Sequence, residues 1–183
     1  MSLILILALV ALFAGTIFLF NRLVRLRNQV RAGWSDIDVQ LMRRHDLVPM
    51  LVEAVKAYAG HEKTLFERVA ELRSEAISAK SPARLADIEG ALEHEVGRLL
   101  LIKEAYPELK ASENFLKLQN DLVDVEDHLQ YARRFYNGAV RELNDGVQRF
   151  PDVLIANAFG FKPAEFFEAP AGAEAAPKLE MTP

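Results

Sequence analysis

The chain of 183 residues contains no cysteine. Disulfides, thiolate zinc sites and cysteine nucleophiles are therefore excluded, while the redox compartment is left undecided. It has no basic excess either: 22 Lys and Arg stand against 26 Asp and Glu, a formal charge of -4. A nucleic-acid binder usually needs a strongly basic face, so that role is not expected. No stretch alternates apolar and polar residues with period two, so no sheet is expected. Metal chemistry also lacks its spacing. Carboxylate-bridged bundles use Glu-x-x-His pairs, but the residues three before His45, His61, His94 and His128 are Met42, Tyr58, Ala91 and Val125. The dense Glu93-His94-Glu95 and Glu126-Asp127-His128 runs place neighbours in different directions around a helix and read as solvated faces. Neither a cofactor nor an enzymatic activity is expected.

What the chain does have is an apolar, uncharged run from Leu3 to Phe20, followed at once by Arg22, Arg25, Arg27 and Arg31. At about 1.5 Å per residue the run covers roughly 27 Å, close to the hydrocarbon thickness of a bilayer. A signal peptide would carry its positive charges before the run and a small-residue cleavage site after it. Here the arginines come after, and no Ala-x-Ala pattern closes the run. An uncleaved anchor over residues 1–21 is expected, spanning once from Leu3 to Phe20. Under the positive-inside rule the N-terminus lies outside and the remainder in the cytoplasm. The four arginines sit at headgroup level, where each adds about 1 kcal/mol of attraction to anionic lipid.

Beyond the run, apolar residues recur at threes and fours: Leu23, Leu26, Val30, Trp34, Ile37, Leu41, Val48 and Val55. The first helix thus continues out of the span without a breaker to about Ala59, adding roughly 58 Å. Pro49 lies inside it and leaves the carbonyl of His45 without its helical donor, so a kink is expected there. A second helix runs from about Glu62 to Ala79. Ser81-Pro82 caps and starts a third, which Tyr106-Pro107 stops. Ser112 caps a fourth, whose apolar stripe from Phe115 to Phe150 persists for about five heptads until Pro151. The fold class is therefore all-α: an N-terminal transmembrane helix continuing into an antiparallel four-helix bundle over residues 22–168. The Ala-, Pro- and Glu-rich residues 169–183 read as a disordered tail.

Up-and-down topology returns the segment after Pro151 to the membrane side, beside the arginines. That segment is aromatic: Phe150, Phe159, Phe161, Phe166 and Phe167 are five of the chain's eleven phenylalanines. They either cap the bundle core or meet the membrane or a partner. Arg43, Arg44 and Asp46, just before Pro49, read as a solvated face with weak ion pairs. They are also a candidate partner contact, because the freed carbonyl needs a donor.

Ordered stretches of the chain resemble the LemA family of bacterial membrane proteins. They are Asn21–Asn28, Trp34–Leu41, Arg43–Pro49, Tyr58–Glu62, Glu104–Lys110, Asn114–Gln119, Ala132–Asn137, Phe159–Phe161 and Phe166–Ala169. The similarity covers about Asn21 to Ala169; Met50 stands where members often have a polar residue. The resemblance implies a single-pass, helical bacterial membrane protein with no established catalytic residue, and with the cytoplasmic side expected from the arginines this places it in the bacterial inner membrane. Its relatives include proteins of magnetosome membranes. Together these readings lead us to expect a non-enzymatic scaffold or adaptor with membrane lipids and an unidentified membrane-associated protein as partners. A membrane-organising homo-oligomer is the first alternative, and an enzyme with a metal in the bundle core a remote second.

Overall fold

The computed structural model describes residues 2–167, all of whose regular structure is helical. The tail expected over 169–183 lies outside the described residues. Six α-helices follow in order: α1 Ser2–Lys56, α2 Lys63–Ser78, α3 Pro82–Leu101, α4 Pro107–Lys110, α5 Glu113–Gln148 and α6 Asp152–Phe159. A 3-10 turn, Ile102–Glu104, follows α3. The first helix is continuous through Pro49, as its uninterrupted three-four pattern requires. The third starts on its expected signal, Ser81 accepting from the Arg84 N–H with Pro82 at the first helical position. Two short helices were not anticipated, α4 and α6. The second of them begins immediately after Pro151, so the proline separates two helices instead of ending helical structure.

The described chain divides into two compact units. One comprises residues 41–127 and 167. In it α2 and α3 form a short-looped hairpin that packs with the C-terminal part of α1 and the N-terminal part of α5. Each helix buries the stripe its spacing foretells: Leu41, Val48, Leu51 and Val55 from α1, Leu65, Val69 and Leu72 from α2. Leu85, Ile88, Leu92, Val96 and Leu99 come from α3, and Phe115, Leu118, Leu122 and Val125 from α5. Fully burying one such side chain stabilises by about 1.5–3 kcal/mol before the entropy of ordering it is subtracted. Leu109 of α4 is fully buried.

The other unit comprises residues 2–40 and 128–166. Here α1 and the C-terminal part of α5 run antiparallel, and α6 folds over them. Leu23 and Leu26 form a cluster with Leu143, Val147, Ala156 and Phe161. Close approach of the two long helices is made possible by glycine. A Cβ on Gly33 would lie 3.0 Å from the backbone Cα of Tyr136, and one on Gly146 would lie 2.9 Å from Leu26 Cδ1. No residue of the apolar window of α1 is buried, and only its end, at Phe20, packs against the cluster. Its side chains are exposed except for the partly covered Thr16, Leu19 and Phe20, and the helix there is long and apolar enough to cross a membrane.

Candidate functional site

The end of the apolar run is the most elaborated place in its unit. Phe20 packs edge-on against Phe159, with ring centroids 4.9 Å apart, and against Phe161 at 5.7 Å. Two residues on, Arg22 Nη1 donates to both carboxylate oxygens of Asp152 at 2.9 Å. Asp152 is almost wholly buried at the start of α6, so the arginine supplies the charge that an isolated buried carboxylate would lack. Arg149 stands 4.0 Å away on the same carboxylate. Arg27 lies over the face of Phe161 at 5.0 Å.

The chain after α6 is fixed by its own backbone bonds. Gly160 adopts φ 70, which only glycine takes at little cost, and the Phe161 N–H then returns to the Ala156 carbonyl at 2.9 Å. Asn144 of α5 makes a reciprocal pair with Ala164, donating to its carbonyl at 3.0 Å and accepting from its N–H at 2.7 Å. Tyr136 donates to the Glu165 carbonyl at 2.7 Å, and its ring meets Trp34 edge-on at 5.4 Å. Burial, with the Glu165 charge adding to it, pushes the Tyr136 hydroxyl above its ordinary pKa. Partial burial likewise raises Asp38, while a hydrogen bond from the Trp34 side chain holds it back.

The arginines and phenylalanines singled out from sequence thus occupy different situations. Arg22 and Arg27 are engaged by α6 and Phe161, whereas Arg25 and Arg31 are exposed. Phe161 and Phe167 are buried, while Phe159 and Phe166 keep 58% and 36% of their surface exposed. Burial along this segment therefore differs residue by residue. The span's ends, Leu3 and Phe20, differ too: Leu3 is exposed and Phe20 is packed as described.

In the other unit the trio before Pro49 also separates. Arg43 makes an exposed pair with Asp124 at 2.8 Å, and Asp46 is exposed. Arg44 departs from the solvated face expected for it: only 4% of its side chain is exposed. Its guanidinium reaches Glu89 Oε2 at 3.1 Å and Glu126 Oε2 at 2.7 Å, with Glu93 at 3.7 Å. Glu89 is completely buried, and His45 Nε2 lies 2.6 Å from its other oxygen. A polar cluster thus joins α1, α3 and α5 inside an apolar core. The His45 carbonyl freed by Pro49 is not open to a partner, because Arg73 Nε of α2 donates to it at 2.7 Å.

Pro49 also borders a groove of about 500 Å³ floored by Val48, Val52, Phe66 and Val69. Its rim charges pair among themselves, Lys56 with Glu53 and Lys63 with Glu67. Among the described residues no group of three or more His, Asp or Glu could hold a metal ion. In the polar cluster of Arg44, His45, Glu89 and Glu126 each buried charge meets an opposite one.

Comparison with known proteins matches residues 33–181 to the model of the LemA family. Magnetosome protein MamQ 2 of Paramagnetospirillum magneticum is 26% identical over 194 residues, spanning 91% of this chain and 71% of that protein. Magnetosome protein MamQ of Magnetospirillum gryphiswaldense is 25% identical over the same shares. Protein LemA of Metamycoplasma hominis is 24% identical over 157 residues, 81% of this chain and 68% of its own. The family match opens at Gly33, beyond the apolar run, and takes in Trp34, Arg44, Glu89, Tyr136 and the segment that closes on Phe20. With the matched region covering most of its length, the chain belongs to the LemA family.

Proposed function

We propose that this protein is a non-enzymatic scaffold or adaptor, anchored by the apolar part of α1 in the bacterial cytoplasmic membrane. Its N-terminus is outside and its helical units are presented at the inner face, where they hold a membrane-associated protein partner. The observation that carries this reading is the packing of Phe159 and Phe161 onto Phe20 together with the Arg22–Asp152 pair. The end of the span is itself part of a packed helical unit, so no flexible linker separates the two. The asymmetry of the arginines supports the orientation. Two of the relatives are named magnetosome proteins; carried to this chain, that name favours work in organising a bacterial membrane structure over metabolism.

A second reading, a membrane-organising homo-oligomer, draws on Val39, Tyr131 and Phe135. These exposed side chains line one groove between α1 and α5. Crosslinking in native membranes separates the two readings. Discrete adducts with other proteins support the adaptor; one dominant ladder of the chain with itself overturns it in favour of the oligomer. A reporter fused after Pro183 that is active only outside the membrane would reverse the orientation.

A further inference from the structure

Helix α6 turns Asp152 and Ala156 inward and leaves Leu154 and Phe159 exposed, together with Asn157 and Ala158. Asp152 turns to Arg22, and Ala156 joins the cluster of Leu23, Leu26 and Phe161. Phe150, Leu154 and Phe159 remain 75%, 59% and 58% exposed. Scattered apolar residues on a surface need no explanation, but Phe159 is placed beside the last residue of the apolar run, and Phe150 and Leu154 belong to the same short stretch of chain. Phe159 touches Phe20, so wherever Phe20 meets the end of the hydrocarbon layer, Phe159 meets it also. The charge around them has one sign on the α1 side: between 21 and 31 there are four arginines and no acid. Arg25 and Arg31 are exposed there, and Lys162 is exposed just past α6. An apolar, aromatic surface edged by cations fits the headgroup boundary of an anionic bilayer.

We infer that α6, with Phe150 just before it, is a second, non-spanning membrane contact, inserting Phe150, Leu154 and Phe159 into the interface of an anionic phospholipid bilayer next to the span. This inference rests on the reading of α1 as the anchor. It separates the outward phenylalanines from Phe161, which serves the core.

The absence of native cysteine makes the test direct. Single substitutions Leu154→Cys, Glu142→Cys and Leu9→Cys in the full chain are labelled with an environment-sensitive fluorophore. Each is reconstituted into phosphatidylcholine vesicles with and without phosphatidylglycerol, and with spin-labelled lipid as quencher. The expected result is a blue-shifted probe at 154, quenched at least twofold more than the exposed control at 142 by shallow spin labels. Probe 9 is quenched by deep ones. The shift at 154 is larger with phosphatidylglycerol, and Arg25→Gln with Arg31→Gln removes that difference. Quenching at 154 equal to that at 142, with probe 9 still quenched, overturns the α6 contact and leaves the anchor standing. If probe 9 also stays unquenched, the anchor fails and the inference with it. A blue shift at 154 that lipid does not quench and that grows with protein density assigns this face to a second copy, and likewise overturns the proposal.

Discussion

Arg73 donates its Nε to the carbonyl of His45, 2.7 Å away, the one carbonyl that Pro49 strips of its helical partner. A side chain from α2 thereby repairs the defect that proline introduces in α1. Arg73→Ala should cost about 1–2 kcal/mol, the usual consequence of leaving a carbonyl unpaired. In a Pro49→Ala background the backbone N–H at 49 becomes available to His45 again, so the same substitution should cost less. A double-mutant cycle read by thermal unfolding should show coupling of about 1 kcal/mol. Strict additivity would mean that the carbonyl is served in some other way.

The ion pairs of the neighbouring Arg43 and Arg44 should respond very differently to loss of one partner. Arg43→Ala removes an exposed pair with Asp124 and should change stability by less than about 1 kcal/mol. Glu89→Ala leaves Arg44 and His45 facing a buried void and should cost about 3–5 kcal/mol. Denaturant unfolding of the two variants side by side checks this. Equal small effects would show that the buried cluster contributes little.

Three glycines offer a graded test of helix approach. Gly138 has nothing within 4 Å of its missing Cβ, so Gly138→Ala should stabilise by about 0.5–1 kcal/mol through helix propensity alone. At Gly146 the obstacle is the tip of the Leu26 side chain, which can move, and the alanine should come out close to neutral. At Gly33 the obstacle includes the Tyr136 backbone, and overpacking should dominate at about 1–3 kcal/mol destabilising. The ranking in melting temperature is the readout; a Gly33 variant as stable as the Gly138 one would contradict the close crossing.

Phe167 and Phe166 are adjacent but should not be equivalent. Phe167→Ala empties a fully buried site and should cost about 3–5 kcal/mol, while Phe166→Ala, half-exposed, should cost far less. Calorimetry of each single variant, avoiding the combined one, distinguishes the two.

Asp38 gives a signed titration. Partial burial lifts its carboxyl, and the Trp34 hydrogen bond opposes that lift. Trp34→Phe should therefore raise the Asp38 midpoint further, observable by carboxyl NMR. A folded-state value above the unfolded one means that protonation favours folding. The contribution of Asp38 is then full below the unfolded value and is lost as pH rises through the folded one. A midpoint that falls in the Trp34 variant would refute the contact.

Much of this architecture was readable from spacing. The stripe from Leu23 to Val55 specified α1, and Ser81-Pro82 and Ser112 located two helix starts. Eight-residue α6 escaped because two turns after a proline are too few to display a period. The buried cluster was missed for a different reason. Glu89 falls between Ile88 and Leu92, four after Leu85, on the apolar face of α3; Arg44 and His45 fall between Leu41 and Val48 on that of α1. Charges seated in apolar stripes of two helices carried the signal, but charge alone was read as exposure. The pairing of Arg22 with Asp152 had no local signal at all, since 130 residues separate the partners.

That separation sets an order of events during synthesis. The span and the arginines leave the ribosome before α6 exists, and at about 5–20 residues per second the interval is roughly 7–26 s. Through that time Leu23 and Leu26 lack Ala156 and Phe161, two of the residues that later close over them. The newborn chain therefore arrives at the bilayer with an unfinished seam at its base. Helix α6 seals it, so a chain halted before Phe150 should be anchored yet open to protease beside the membrane.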